Sequence, residues 1–210
     1  MNTFLENQNW RYAIKKYDTS RKVSVEDLEF LKEAIRYSPS GFGLQPYRVL
    51  IIENPELREK LKLAAPYNPQ VVEASQLIVF ANETHLGDTH VDSYINNISK
   101  TRNIPAENLA GFSNAMKTNF AGMEVENKNI WASKQTYLAL ANLISAAAEL
   151  KIDVSPMEGF DVEGFNEILG LKEKGLNAAV IAAIGYRHAE DATQHYIKVR
   201  KPNEELFINL

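Results

Sequence analysis

Basic residues near both ends of the sequence are the first candidates for chemistry, because guanidinium and ammonium groups bind phosphate and carboxylate ligands. Arg11 and Lys15 lie in one segment, and Lys198 and Arg200 lie in another. Side chains two positions apart on an extended segment project to the same side, so Lys198 and Arg200 could bind one anion together. The alternative is that all four are ordinary solvated charges, as most lysines and arginines are.

Two segments rich in glycine, proline and serine are also candidates for ligand contact. Residues 37–47 read Tyr-Ser-Pro-Ser-Gly-Phe-Gly-Leu-Gln-Pro-Tyr, and residues 156–161 read Pro-Met-Glu-Gly-Phe-Asp. Glycine allows a backbone to approach a bound ring closely, since it has no side chain to obstruct the contact. Taken alone, the first pattern predicts only the end of a helix and the second only a turn.

The sequence lacks the motifs of several common enzyme classes. It contains no cysteine, which excludes thiol nucleophiles, disulfide scaffolds and iron–sulfur clusters. Gly41 and Gly43 lack the third glycine of a dinucleotide-binding fingerprint, and neither a Walker loop nor a serine nucleophile elbow is found. The spacing of His85 and His90 does not suit one helical face, so no metal site is predicted. A chain without these features often takes its chemistry from a cofactor.

The composition is that of an ordinary globular protein, with 45% hydrophobic and 24% charged residues among 210. Together with the absence of repeats and linkers, this predicts a single domain over residues 1–210. The net charge of −4 argues against a general nucleic-acid binder. No apolar run is long enough to cross a bilayer, and the first residues lack the features of a signal peptide, so the predicted location is cytoplasmic.

Helices dominate the predicted elements, with a few buried strands between them. Strands are predicted at Tyr47–Ile52, 77–81 and 178–184, where short apolar runs occur. Ser24 and Asn54-Pro55 predict helix starts, and apolar stripes predict further helices within residues 91–98 and 109–123. A long helix at 130–150 is apolar on more than one face, which is typical of a helix in a domain centre or a subunit interface.

In this order along the chain, four segments resemble those of the bacterial nitroreductase and NAD(P)H:flavin reductase family. Residues 11–18 are similar to its Arg-x-Ser-x-Lys-x-Phe-Asp, and residues 37–47 to its Ser-Pro-Ser-Ser-x-Asn-x-Gln-Pro-Trp. Residues 156–161 closely match Pro-Ile-Glu-Gly-Phe-Asp, and residues 198–202 match Lys-x-Arg-x-Pro. The resemblance implies an α+β fold with a central mixed sheet flanked by helices. It also implies an intertwined homodimer in which the long helix forms much of the interface and the C-terminal tail wraps the partner.

The resemblance assigns the basic residues to FMN. Arg11, Lys198 and Arg200 would bind the FMN phosphate, and three cations suit a group that carries nearly two negative charges. Lys15 would reach the N1/O2 edge of the flavin, where the reduced ring carries negative charge. These roles replace the solvated-charge interpretation only if the family assignment is correct.

The resemblance also assigns the turn-like segments to the flavin. The backbone N–H groups of Glu158 and Gly159 would donate to flavin N5 and O4, and Asn68 would contact the pyrimidine edge. From the partner subunit, Ser40 would approach the phosphate and Gln45 the ring or ribityl chain. The predicted cofactor-binding residues are Arg11, Tyr12, Ala13, Lys15, Pro39, Ser40, Gly41, Gly43, Gln45, Asn68, Pro156, Met157, Glu158, Gly159, Lys198 and Arg200.

Phe120 matches an aromatic that lies over the substrate face in the family, although its own helical stripe equally predicts core packing. Five positions depart from the family pattern. Ala13 replaces a frequent serine, Gly41 and Gly43 replace a serine and an asparagine, Val71 replaces a lysine found in some members, and Tyr47 replaces a tryptophan. The lost polar groups would each weaken FMN binding by about 0.5–1.5 kcal/mol.

The function implied is that of an FMN-dependent NAD(P)H oxidoreductase with no catalytic side chain. Hydride would pass from NADH or NADPH through flavin N5 to nitroaromatics, quinones or similar small aromatic acceptors in a ping-pong order. One alternative is another reaction on the same scaffold, such as dihydropteridine or free-flavin reduction or a reductive-dehalogenase-like activity. The others are a flavin-binding protein without turnover and an α+β interaction domain that binds no flavin.

Overall fold

The computed structural model describes residues 3–210, which form a four-stranded sheet covered by helices. The strands are β1 Tyr47–Ile52, β2 Gln76–Glu83, β3 Asp153–Met157 and β4 Leu176–Gly185, in the order β1-β2-β4-β3. The three predicted strands are confirmed, and β3 is additional. All three pairings are antiparallel within the described part of the chain, so the prediction of a mixed sheet was wrong for these strands. Strands buried on both faces give no sequence signal of their direction.

Helices account for most of the remaining chain. The bounds are α1 Thr3–Trp10, α2 Val25–Arg36, α3 Pro55–Leu63, α4 Gln70–Glu73, α5 Asp88–Arg102, α6 Ala110–Ala121, α7 Val125–Glu149, α8 Val162–Leu169 and α9 Asn203–Leu206. The predicted starts are confirmed, because the Ser24 side chain accepts from Asp27 N and the Asn54 side chain accepts from Leu57 N. Among helices of residues 3–210, none combines the length and apolarity that a membrane crossing requires.

The sheet has a hydrophobic core on each face. Leu77 and Val79 of β2 pack with residues of α3 and α8, whereas Ile78 and Phe80 pack with residues of α2 and α7. This alternation follows from the pleat of a strand, which sends successive side chains to opposite faces. A third cluster lies between α5, α6 and the start of α7 and contains the buried Phe120. The sheet is therefore a rigid base to which the loops of the candidate site are attached.

The two ends of the described chain lie side by side next to β3. Tyr17 forms an isolated antiparallel bridge with Arg187, and His188 N donates to the Lys16 carbonyl at 3.1 Å. Beyond residue 195 the chain is largely exposed, with Ile197 at 92% and Ile208 at 83% relative accessibility. This arrangement brings the two basic segments of the sequence together.

Candidate functional site

The predicted phosphate ligands converge where the two ends of the chain meet. The Lys198 ammonium donates to the carbonyl groups of Asn9 and Arg11 and lies 5.7 Å from the centroid of the Tyr12 ring. The Arg11 guanidinium donates from Nε to Gln8 Oε1 at 2.7 Å. The structure thus places Lys198 directly beside the segment that carries Arg11.

Burial and neighbouring positive charges lower the proton affinity of Arg11 and Lys198. Burial, followed by the charge of Arg200, lowers the pKa of Arg11. Burial, followed by the charges of Arg11, Arg200 and Arg187, lowers the pKa of Lys198. Like charges held together are stabilised by an anion placed among them, so Arg11, Lys198 and Arg200 form a cationic cluster suited to a phosphate.

Lys15 lies on a loop that a buried carboxylate holds in place. Asp191 is 3% exposed and accepts hydrogen bonds from Lys15 N at 2.6 Å and Lys16 N at 2.9 Å. Its other oxygen accepts from Thr193 N at 2.9 Å. The Lys15 side chain itself is exposed, so the backbone is fixed while the ammonium group is free to reach a ligand.

The end of β3 joins this loop to the predicted flavin-binding turn. Ser155 Oγ donates to the Ile14 carbonyl at 2.7 Å, which ties β3 to the loop of Lys15. Immediately beyond β3, Glu158 and Gly159 are exposed, and Asn68 Nδ2 donates to the Gly159 carbonyl at 2.7 Å. Within residues 3–210, neither the N–H of Glu158 nor that of Gly159 donates a hydrogen bond. Two backbone donors are therefore available for a ligand at this position.

We refer to the residues that these contacts bring to one side of the molecule as the half-site: Arg11, Lys15, Asn68, Glu158, Gly159, Lys198 and Arg200. Two other predicted residues of β3 have limited side-chain roles. Pro156 is exposed on the sheet edge, where its missing N–H costs no ladder hydrogen bond, and Met157 is 9% exposed and packs in the core.

The glycine loop, residues 37–47, is held by different elements. Gly41 N donates to Gln135 Oε1 on α7 at 2.8 Å, and Gln45 Nε2 donates to the Arg36 carbonyl at 2.9 Å. Ser40 Oγ accepts from Gln45 N at 2.9 Å, so neither predicted side chain is free of internal contacts. Pro39 is exposed. None of these hydrogen bonds reaches the half-site of the same chain.

Helix α7 separates the glycine loop from the half-site. Gln135 holds Gly41, whereas the phenol of Tyr137 donates to the Glu158 carboxylate. Residues two apart on a helix project about 200° from each other, so the two contacts lie on different sides of α7. Burial, followed by the hydrogen bond to Glu158 and its charge, raises the pKa of Tyr137 to about 12.

A model of the nitroreductase family matches residues 9–186 of the sequence. The chain belongs to this family. It is 37% identical to a Staphylococcus haemolyticus protein provisionally named an NAD(P)H nitroreductase, with 97% of this chain and 95% of the relative covered. It is 34% identical to the major NAD(P)H-flavin oxidoreductase of Aliivibrio fischeri, with 96% and 94% covered.

Solved structures agree with this assignment at the level of the fold. An Exiguobacterium sibiricum protein, provisionally named a nitroreductase and solved in complex with FMN, superposes with a TM-score of 0.84. The alignment covers 99% of this chain and 97% of that chain at 20% identity, so the likeness establishes the nitroreductase fold alone.

The structure explains two departures from the nitroreductase pattern in the glycine loop. A Cβ at Gly41 would lie 2.5 Å from Trp131 Cζ2, and a Cβ at Gly43 would overlap the phenol oxygen of Tyr94. Gly43 also has a φ of +79°, a conformation that favours glycine. The serine and asparagine of other nitroreductases have no room here, because large aromatic side chains occupy that space.

Packing accounts for two of the three other departures from the nitroreductase pattern, those at Val71 and Tyr47, and nothing in the structure explains Ala13. Val71 is fully buried, so this chain has a core residue where some nitroreductases have a lysine. Tyr47 is 7% exposed, and its hydroxyl accepts from Gln45 Nε2 at 3.4 Å. Ala13 is half-buried and has no hydroxyl to offer to a phosphate.

Phe120 packs in the third cluster, where it is 2% exposed. Its ring centroid lies 5.2 Å from that of Trp131 and 6.0 Å from that of Phe42. Phe42 is 42% exposed, and its ring in turn lies 6.5 Å from that of Phe112, which is 40% exposed. Contact of Phe120 with a substrate stays a prediction, and the structure assigns this ring to the core of its own chain.

Sequence reasoning missed the residues that hold the site together: Ser155, Tyr137, Gln135 and Asp191. Asp191 has a local signal, because an aspartate two positions before a threonine favours the turn that its carboxylate caps. The partners of Ser155, Tyr137 and Gln135 are 141, 21 and 94 positions away, and no local pattern indicates such distant contacts.

Proposed function

We propose that this chain is an FMN-dependent NAD(P)H oxidoreductase that reduces small aromatic acceptors such as nitroaromatics and quinones. The observation that carries the proposal is the half-site, in which a cationic cluster and two free backbone donors lie on one side of the molecule. Two relatives named as NAD(P)H-dependent enzymes, at 37% and 34% identity over almost the whole chain, support the same activity.

The residues present fit FMN in charge and hydrogen-bonding capacity. A phosphate monoester carries about −1.5 to −2 charges at pH 7, which Arg11, Lys198 and Arg200 would neutralise. The flavin ring presents acceptor atoms at N5 and O4, for which the N–H groups of Glu158 and Gly159 are suitable donors. Gly159 has open space where a Cβ would stand, so its backbone can approach a planar ring.

Bound FMN would supply the hydride chemistry, and the chain would supply orientation and charge. Lys15 would place a positive charge near the ring edge at which negative charge develops on reduction. The N–H donors of the turn would fix the ring in the plane that leaves one face open. NAD(P)H and the acceptor would use that face in turn, which is the ping-pong order, and no side chain would act as a nucleophile.

We also propose that the working unit is a homodimer in which each glycine loop completes the half-site of the other subunit. The edge strand β1 borders a groove of about 800 Å³ that is lined by Lys32, Arg36, Arg48 and Lys100 among others. The exposed tail carries apolar side chains, including Phe207 at 61% accessibility, next to the acidic pair Glu204 and Glu205. The tail of a second copy would therefore match this groove in both charge and apolarity, and light scattering of the purified protein would report the dimer.

A free-flavin reductase on the same scaffold is the second candidate. The specific observation in its favour is the 34% identity to an NAD(P)H-flavin oxidoreductase over 96% of the chain. Free FMN, a quinone or a nitroaromatic would then compete for the same open face.

Steady-state kinetics of the FMN-loaded protein test the proposed function. NADH or NADPH would be varied at several fixed concentrations of a nitroaromatic, a quinone and free FMN. Parallel double-reciprocal plots are expected for each accepted substrate, and the ratio of kcat/KM values would separate the two candidates. Absence of turnover with every acceptor, in a protein that binds FMN, would instead favour a non-catalytic flavin carrier.

A further inference from the structure

The turn formed by Glu158 and Gly159 is held from two sides by side chains distant in sequence. On one side, Tyr137 of α7 donates its phenol hydrogen to the Glu158 carboxylate. On the other side, Asn68 Nδ2 donates to the Gly159 carbonyl at 2.7 Å. A short peptide with its side chain and its carbonyl both tethered has little freedom to rotate.

The residues that follow the turn are also anchored. Phe160 N donates to the Glu158 carbonyl at 2.9 Å, and Asp161 N donates to the Ala64 carbonyl at 2.7 Å. The Phe160 ring packs on Phe165 with centroids 4.7 Å apart. Within residues 3–210, the N–H groups of Glu158 and Gly159 thus lie between anchored groups. Their direction depends on the hydrogen bonds that Tyr137 and Asn68 donate to this turn.

We propose that Tyr137 is a positioning residue for the flavin site, which holds Glu158 so that the N–H groups of Glu158 and Gly159 keep one direction toward the ligand. This inference rests on the proposed FMN-dependent function and adds to it a residue on the long helix. The hydrogen bond from the Tyr137 phenol to the Glu158 carboxylate is charge-assisted, which makes it stronger than a hydrogen bond between neutral groups.

Two further properties of Tyr137 agree with this role. Its side chain is 40% exposed, so the ring contributes less to the core than a buried tyrosine would. Its pKa is raised to about 12, through burial first and then through Glu158, so the phenol keeps its proton and remains a donor at neutral pH.

The experiment measures FMN affinity by fluorescence titration of the full-length apo-protein, together with the visible spectrum of the bound FMN. The variants are Tyr137→Phe, Glu158→Ala and the two combined, all of which remove the tether. Glu158→Gln keeps an acceptor oxygen for the phenol and removes only the charge. Tyr186→Phe is the matched control, because the Tyr186 ring lies over Arg21, away from the turn.

Tyr137→Phe and Glu158→Ala are each expected to weaken FMN binding about three- to tenfold, as the loss of one hydrogen bond would. Both should change the visible bands of bound FMN in the same way, and the combined variant should be no weaker than either alone. Tyr186→Phe should keep the affinity within about twofold of wild type, together with the wild-type spectrum. Glu158→Gln, which keeps the acceptor oxygen but loses the charge, should give an affinity between those of wild type and Glu158→Ala. Thermal unfolding of each apo-protein would detect a general loss of structure.

Two results would overturn the positioning role while leaving the proposed function intact. One is wild-type affinity and spectrum for Tyr137→Phe, and the other is multiplicative losses in the combined variant, which would mean that Tyr137 does not act through Glu158. Failure of the wild-type protein to bind FMN would refute the proposed function itself, so the two failures are distinguishable.

Discussion

The half-site and the glycine loop are both candidate flavin contacts, yet the chain builds them in different ways. The half-site is assembled by hydrogen bonds between segments far apart in sequence, such as Ser155 to Ile14 at 2.7 Å, and the N–H groups of Glu158 and Gly159 donate to no group within residues 3–210. The glycine loop is shaped by local geometry, with positive φ values at Phe42, Gly43 and Gln45, and its polar groups are used internally. We therefore expect the half-site to provide most of the ligand contacts and the glycine loop to provide a fixed backbone shape.

The largest effect is expected in the cationic cluster. Lys198→Ala would remove a cation that contacts Asn9 and Arg11, and it should weaken FMN binding about 10- to 100-fold, since hydrogen bonds to charged groups contribute about 1.5–3 kcal/mol. Fluorescence titration measures the change, with Lys201→Ala as the control on the same exposed tail. Equal affinities for the two variants would remove Lys198 from the phosphate site.

In the glycine loop, a substitution should affect stability more than ligand affinity. Gly43→Ala would force a Cβ against Tyr94 at a φ of +79°, and it should lower the free energy of unfolding by about 1–3 kcal/mol. Denaturant unfolding measures this loss. Gly111→Ala is the matched control, since open space surrounds that position in α6 and alanine favours a helix. Recovery of part of the loss by Tyr94→Phe would confirm the overlap, and equal stability of both glycine variants would contradict it.

A smaller effect is expected at Asp191, which fixes the loop of Lys15. Burial acts to raise the pKa of Asp191, but hydrogen bonds from Thr193, Lys16 and Lys15 outweigh it and the pKa is lowered overall. A carboxyl with a lower pKa in the folded state stabilises the protein above the pKa of the unfolded chain, about 3.9, and this contribution is lost as the pH falls through the folded value.

Asp191→Asn should therefore reduce the free energy of unfolding by about 1 kcal/mol at pH 7. The reduction should be smaller below about pH 4, where the carboxyl is protonated first in the unfolded chain and then, at lower pH, in the folded protein. Unfolding curves at several pH values would show the difference, with the exposed Glu107→Gln as the control. A constant difference between Asp191→Asn and wild type at every pH would mean that the charge of Asp191 has no part in holding the loop.

Local sequence patterns indicate some elements of the fold and of the site but not the contacts between distant segments. The strand Tyr47–Ile52 and the starts of α2 and α3 were predictable because they depend on apolar runs and local caps. The three residues of the cationic cluster were predictable because they match motifs of the family. The tethers of Tyr137, Gln135 and Asp191 were not, because each joins residues that only the tertiary fold brings together. The lack of room for a side chain at Gly41 and Gly43 was not predictable either, because Trp131 and Tyr94, which fill that space, lie on helices elsewhere in the sequence.

The most direct test of the central claim is the visible absorption spectrum of the purified, FMN-reconstituted protein before and after anaerobic addition of NADPH or NADH. We predict a bound flavin spectrum that bleaches with the reduced nicotinamide and returns when a quinone or nitroaromatic is added. A protein that binds no FMN, or one whose bound FMN is reduced by neither nicotinamide, would contradict the proposed function.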